Sequence, residues 1–318
     1  MQYVDEAPAS FHSSATRPKA VDLITTAFHE VVSRRRLITY LVRAEIKKQG
    51  TDTVLGNIWW ILDPLLSMLV YVVVMTYIFA RKTPDFPIFL LAAMIPFKWF
   101  TGTISSSVTS VTEQSALIKQ IQFPKIVLPL TINGAELVNL GFGLIVLMGL
   151  LVIWPFMEHS GTGPHDHLSL MVLWIPVIAV VQFTFQLGLS LMVAAITVFY
   201  RDIGNIISHL LRLLFYLAPI LWSFDDLGAG RGGELKSALG EGGFQILHNN
   251  PVAILLEQYR HVVYGVVTDL PGGVGQTFLP AEPVALVQLF FMFIGSLVLC
   301  AFGALIFKRL EPAFAKVL

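Results

Sequence analysis

The sequence predicts an all-α integral membrane protein with six transmembrane helices. Three observations carry that prediction. Of 318 residues, 55% are hydrophobic and 13% are charged, where a soluble domain carries about 25% charged residues. Mean hydropathy is +0.72. Several apolar runs approach 20 residues and are continuous rather than alternating. In lipid every backbone group must be paired internally, and continuous runs select helices over a closed barrel.

The elements follow in chain order. Residues 1–20 hold Asp5, Glu6, Pro8 and Pro18 and no apolar core, so they read as a flexible cytoplasmic tail rather than a secretory signal. Residues 21–50 read as an amphipathic interface helix. Leu37, Ile38, Leu41, Val42 and Ile46 recur at helical spacing, with Arg34, Arg35, Arg36, Arg43, Lys47 and Lys48 around them and Gly50 as the stop. Such a helix either anchors the chain at the membrane surface or frames a lateral access route.

Within 54–318 the six spans fall at about 58–80, 86–107, 130–154, 170–199, 205–224 and 284–307. Asp63-Pro64 lies inside the first, and Pro96 interrupts the second. The fourth is longer than one crossing needs. The outer segment, 225–283, opens with the Gly-rich stretch GAGRGGELKSALGEGG, expected to be mobile. It continues as NNPVAILLEQYRHVVYGV, a helix of about 17 residues with Asn250 as cap and Pro251 at its first position. Glu257 and Arg260 share one face there, and the segment reads as a re-entrant or interfacial helix buried in protein.

Lysines and arginines set the orientation. They concentrate between Arg34 and Lys48, at Lys119 and Lys125, at Arg201, and at Lys308, Arg309 and Lys316. The outer segment 225–283 has Arg231, Lys236 and Arg260 against seven acids, and only Arg81 and Lys82 oppose the pattern, so both termini are expected in the cytoplasm.

Net charge is zero, which gives no field for nucleic acid, and the single cysteine, Cys300, excludes a disulfide framework. No phosphate loop, nucleophile elbow or H-E-x-x-H motif is present. The "HDH" at His165–His167 reads as a solvated loop rather than a metal pair, so no metal is expected.

Polar groups inside spans are costly and by default mark function. Asn133, Glu136 and Asn139 are spaced three apart on span three, and Gln182 and Gln186 are one turn apart on span four. Each set either lines a path or joins helices. Lys98, two residues after Pro96, needs a partner, and Glu136 is the candidate; Asp63 reads as a cap for the helix Pro64 restarts. Trp59 and Trp60 read as interface-belt residues, while Tyr71, Phe97, Trp99 and Phe100 sit deeper.

Five ordered motifs, VLGNIWWILDPLLSMLVY (54–71), ALIKQIQFPKIVLPL (116–130), FYRDIGNIISHLL (199–211), NNPVAILLEQYRHVVYG (249–265) and FKRLEPAFAKVL (307–318), resemble the membrane subunits of type-2 ATP-binding-cassette exporters. The nearest branch exports O-antigen, teichoic acid and capsular polysaccharide. Two departures stand out: residues 1–34 are longer than that branch implies, and Lys98 occupies a position where it implies a neutral residue.

The resemblance implies a type-2 exporter fold in the bacterial inner membrane. Two copies of the chain face each other, and two separate nucleotide-binding subunits hold ATP and Mg; this chain itself carries no cofactor and is not an enzyme. It makes the stretch between spans two and three a coupling knuckle. Leu117, Ile118 and Ile121 form its apolar face with Lys119 beside them, Phe123-Pro124 stops the helix, and Lys125 and Pro129 lead into span three. Without the resemblance the same stretch is a structural turn with snorkelling lysines. Arg201 and Asp202 form a second corner near the ATPase, or else a topogenic charge. The implied substrate is a polyprenyl-diphosphate-linked glycan. It would be drawn from the surrounding lipids by Arg34, Arg35, Arg36, Arg43 and Lys47 and passed along a path lined by Tyr71, Phe97, Trp99 and Phe100. The competing readings are a small-lipid or drug exporter of the same family, a glycan-transferring membrane enzyme, and a proton-coupled carrier built on Lys98 and Glu136.

Overall fold

The computed structural model describes residues 19–51, 54–80, 83, 85–120, 123–156, 169–224, 232–269, 276–279 and 285–317. Residues 1–18, Ile121 and His165–His167, on which three expectations fall, lie outside the described residues. Among the described residues the fold is helical except for one short antiparallel ribbon.

Two helices precede the first span: α1 (Ala20–Ser33) and α2 (Arg35–Gly50), broken at Arg34. The single amphipathic helix expected over 21–50 is therefore two, and they rest on different partners. Ala27 of α1 is buried against the end of the last helix. α2 has no buried residue of its own and lies on α6, where Gly134 lets Val42 approach: a Cβ on Gly134 would meet the valine at 2.8 Å.

The first span is α3 (Trp59–Val73), entered by a 3-10 turn at Gly56–Ile58 and ending in a π-helical turn at Val74–Ile78. Gly56 has φ +53°, a left-handed geometry that other residues rarely adopt. Pro64 lies inside α3 and is buried. Next come α4 (Phe86–Thr109), the short α5 (Ser115–Gln120) and α6 (Val127–Ile153). α7 (Ile175–Thr197) follows a 3-10 turn at Leu170–Trp174. α4 is the centre of the bundle, 78% buried over its apolar window, whereas the corresponding window of α3 is 6% buried and lies on the outside.

Among the described residues, five helices are long and apolar enough to cross a membrane: Gly56–Ile78, Phe86–Thr109, Val127–Phe156, Leu170–Thr197 and Leu286–Phe314. The fifth expected span differs. It is α8 (Ile203–Leu217), an apolar helix of 15 residues that stops seven residues before the expected end. At ~1.5 Å per residue it reaches about 22 Å, short of a ~30 Å hydrocarbon core. Pro219 breaks it, and Ala218 and Ile220 turn inward, each fully buried.

Beyond α8, the Gly-rich stretch expected to be mobile is instead helical in its described part, α9 (Gly232–His248), kinked at Gly240 where φ is +69°. α10 (Pro251–Val263) begins as expected: Asn250 Oδ1 accepts from the Val252 N–H at 3.0 Å, with Pro251 at the first position. It has 13 residues, too few to span, and buries most of its length. β1 (Val266–Asp269) pairs antiparallel with β2 (Gln276–Leu279), a ribbon absent from the sequence reading. The last helix, α11 (Leu286–Val317), runs 32 residues, through Pro312 and ten residues beyond the expected end of span six. It packs on α7 at a point of backbone contact, Gly188 against Gly303.

Candidate functional site

The expected site residues separate into three regions and a remainder that packs helices. The first region is a cavity of about 310 Å³ between α3, α4 and α6. Four of the expected path residues line it: Lys98, Trp99, Glu136 and Asn139. Trp59, Trp60, Asp63 and Pro64 from the start of α3 join them, with Ile95, Leu140 and Gly143 making up the rest of the wall. The partner of Lys98 is not Glu136. Lys98 Nζ meets Asp63 Oδ2 at 2.6 Å and Ser67 Oγ at 2.7 Å, so Asp63 is an ion-pair partner across two helices rather than a cap. Helix rotation decides this, because α3 turns Asp63 and Ser67, one turn apart, toward α4. Glu136 accepts from Asn139 Nδ2 at 3.0 Å, and the same amide reaches Gln49 Oε1 on α2 at 3.3 Å. The end of the basic helix thus abuts the cavity wall.

Of the remaining intramembrane polar groups, Gln182 and Gln186 join helices. Gln182 Nε2 donates to the Pro96 carbonyl at 2.8 Å and Gln186 Nε2 to Thr103 Oγ1 at 3.2 Å, tying α7 to α4. Asn133 Nδ2 turns back to the Pro129 carbonyl of its own helix. Tyr71 and Phe97 both pack on Phe215 of α8, at 5.5 and 5.7 Å, and Phe100 stacks on Phe185 at 6.1 Å. These three aromatics fill the interhelical core, unlike Trp99, which reaches the cavity.

The second region surrounds the knuckle. α5 ends at Gln120, before Pro124, and α6 has already begun at Val127, so Pro129 sits inside the first turn of α6 rather than restarting the chain. Ile118 is buried in a cluster with Ala27, Val198, Phe307 and Phe314, with Phe123 packed against it. Leu117 is half-buried and Lys119 exposed. The Lys125 backbone N–H donates to Glu311 Oε1 at 2.7 Å. Glu311 Oε2 accepts from Lys308 Nζ at 2.7 Å, and Lys308 also pairs with Glu30 of α1. Sequence reasoning missed Glu30 and Glu311. The i,i+3 spacing of Lys308 and Glu311 was the available signal, but it needed α11 to continue that far.

Arg201 and Asp202 are exposed at the α7–α8 corner. Among the described residues Arg201 makes no ion pair. It lines a polar groove of about 800 Å³ with Glu113, Ser115 and Asn205. The basic residues Arg34, Arg35, Arg36, Arg43 and Lys47 are all exposed along α1–α2, and Lys48 meets Glu113 at 3.5 Å.

The third region is α10. Arg260 is 2% exposed and pairs with Glu257 at 2.9 Å. Its guanidinium donates to the backbone carbonyls of Pro219, Ile220 and Trp222, which follow the end of α8, and lies 4.0 Å above the Phe89 ring of α4. The expected pair is therefore a clamp on the broken end of α8. No group of three or more metal-ligating side chains occurs among the described residues.

The ABC-2 type transporter family profile matches residues 36–231. The O-antigen export system permease protein RfbA of Myxococcus xanthus is 29% identical over 235 residues, 74% of this chain and 83% of that protein. The protein of the same name from Klebsiella pneumoniae is 26% identical over 283 residues, 89% of this chain and 95% of its own length. The polysialic acid transport protein KpsM of Escherichia coli is 26% identical over 185 residues, 58% and 68% of the two chains. A helical bundle with membrane-length apolar helices, matched by the profile over more than half its length, belongs to the ABC-2 type transporter family, and the chain is a membrane-embedded transport subunit.

Proposed function

We propose that this chain is the permease subunit of an ATP-driven exporter of a cell-surface polysaccharide carried on a polyprenyl diphosphate. The observation that carries the reading is the likeness to an O-antigen export permease over 89% of the chain. Two copies of the chain form the pathway, and two nucleotide-binding subunits supply ATP and Mg. The outward apolar faces of α3, at Leu66, Leu69 and Val73, and of α8, at Ile206, Leu210 and Leu213, support a paired arrangement. Both termini and the knuckle face the cytoplasm of a bacterial inner membrane, in keeping with the lysine and arginine distribution. The exposed cations at Arg34 and along α2 attract the carrier diphosphate. ATP-driven closure of the nucleotide-binding dimer displaces the knuckle, and the buried contacts of Ile118 and Lys125 with α11 transmit the displacement into the bundle.

A mild-detergent pull-down from the native membrane, with an ATPase assay, tests this. The expected result is a stoichiometric nucleotide-binding subunit that is lost when 117–125 is replaced by Gly-Ser, and surface polysaccharide that disappears when the chain is deleted. An intact oligomer that purifies without any ATPase, in cells whose surface polymer survives the deletion, overturns it.

A further inference from the structure

The cavity between α3, α4 and α6 has a largely apolar wall set with a few polar side chains, and neither packing nor the coupling path uses it. Its volume of about 310 Å³ falls at the small end of ligand sites. Its chemistry narrows the occupant. Lys98 is the one cation among its lining residues, and Asp63 at 2.6 Å and Ser67 at 2.7 Å already hold it. Glu136 adds a second acidic side chain. One committed ammonium facing two carboxyl groups offers nothing to a free phosphate or diphosphate. An acyl chain fits less well, because it offers no donor to Asn139 Oδ1, which is buried without a hydrogen-bond partner, and would cover the Lys98–Asp63 pair with hydrocarbon.

A neutral polyhydroxyl ring satisfies both constraints. Its hydroxyls donate to carboxylate oxygens and accept from amide and ammonium hydrogens. Its C–H faces rest on the broad apolar surface of indole rings, and Trp59, Trp60 and Trp99 all stand in the wall. Trp60 is already braced from behind by Phe142, with ring centroids 4.9 Å apart. Trp59 is 44% exposed and unencumbered enough to receive a ring. The cavity also has a defined position along the carrier's approach. Asn139, in its wall, reaches Gln49 at 3.3 Å, and Gln49 is two residues past Lys47 at the end of the basic helix.

We propose that this chamber is a glycosyl subsite, which takes the sugar ring adjoining the carrier diphosphate while the exposed cations of α2 hold the diphosphate itself. The inference rests on the polysaccharide-export reading above and adds to it a second recognition element, one that senses whether the carrier bears a glycan.

The test uses the full complex in nanodiscs and two probes prepared from the producing cells: the polyprenyl-diphosphate-linked glycan, and the same carrier after its glycan is removed. The expected result is that the glycan-bearing carrier binds about tenfold tighter, as one or two good polar contacts would give. Glu136→Gln, which keeps side-chain size, and Trp59→Ala, at an exposed position that the fold tolerates, each bring the ratio close to one. Neither changes affinity for the bare carrier. Equal binding of both probes by the unaltered complex, or a ratio untouched by both variants, overturns the subsite and leaves the export reading standing. Binding of neither probe overturns the lipid-linked reading and the subsite with it.

Discussion

The backbone N–H of Lys125 donates to Glu311 Oε1 at 2.7 Å, across 186 residues of chain. The other oxygen of the same carboxylate is held by Lys308 at 2.7 Å, and Lys308 is held by Glu30. The exit from the knuckle, the end of α11 and the helix α1 therefore meet in one buried ionic cluster, with Lys308 only 8% exposed. A hydrogen bond to a backbone N–H fixes position in a way that a packed side chain does not. The knuckle is thereby joined to α11, and through the Gly188–Gly303 contact to α7.

Glu311 is the point at which this connection is most simply cut. Glu311→Gln keeps an oxygen for the Lys125 N–H and loses the charge that Lys308 meets. Glu311→Ala loses both and leaves the Lys125 N–H to water. The alanine variant is expected to lose about 1–3 kcal/mol of stability and the glutamine variant less. Thermal unfolding of the purified protein measures the order. Nucleotide-driven export in vesicles should fall further for alanine than for glutamine at equal insertion. Equal export by the two variants would show that the Lys125 bond transmits nothing.

Asp63 and Lys98 should behave as one unit. Removing the carboxylate leaves an ammonium among α3 and α4 with Ser67 as its remaining side-chain partner, and removing the ammonium leaves a carboxylate. Each single change, Asp63→Asn or Lys98→Met, is expected to be worse than the two together. The coupling in a double-mutant cycle is about 1 kcal/mol, kept low because the Asp63 side chain is 64% exposed. Unfolding midpoints of the four proteins in one detergent decide it, and strict additivity would mean that the pair is incidental.

The sequence made the long spans legible because a continuous apolar run of membrane length has few other folds. It also disclosed the Asn250–Pro251 start of α10 and the Glu257–Arg260 spacing, since both depend on neighbours within one turn. Residues 218–224 misled for the same reason that the spans were clear. They are apolar, and hydropathy alone extends α8 through them, whereas Pro219 and the distant Arg260 end it. The partner of Lys98 was illegible because two carboxylates were available on different helices, and only the rotation of α3 about its axis chooses between them. Glu30, Lys308 and Glu311 were illegible as a cluster because no local pattern brings residue 30 to residue 311.

Arg260 has more bonds to lose than any other buried charge described. Arg260→Ala takes the arginine from Glu257, which keeps the Phe224 N–H, and removes the donor to three carbonyls beyond α8; it is expected to cost about 3–5 kcal/mol, the usual penalty for breaking a buried pair. Arg260→Lys keeps the charge but gives up the planar fork and the stacking on Phe89, so it should recover only part of that loss. Limited proteolysis, followed at 218–224, reports the outcome directly. Enhanced cleavage there in both variants, stronger in alanine, is expected. A lysine variant as resistant as the parent would mean that charge alone closes the break.

Gly303 supplies the strictest steric test of the fold. A Cβ added at Gly303 would collide with the Gly188 carbonyl, and one added at Gly188 would lie 2.7 Å from the Cys300 backbone nitrogen. Backbone atoms cannot rotate away, so α7 and α11 would have to separate along their whole shared length. Gly303→Ala is expected to destabilise by about 1–3 kcal/mol despite adding a single methyl group and raising helix propensity. Gly141→Ala, on α6 where a Cβ meets nothing within 4 Å, should be neutral or slightly stabilising. Midpoints measured side by side separate the two causes, because propensity acts alike at both sites while collision acts at one. If both alanines raised the midpoint equally, α7 and α11 would be shown to pack with slack, and the route from the knuckle through α11 into the bundle would lose its rigid link.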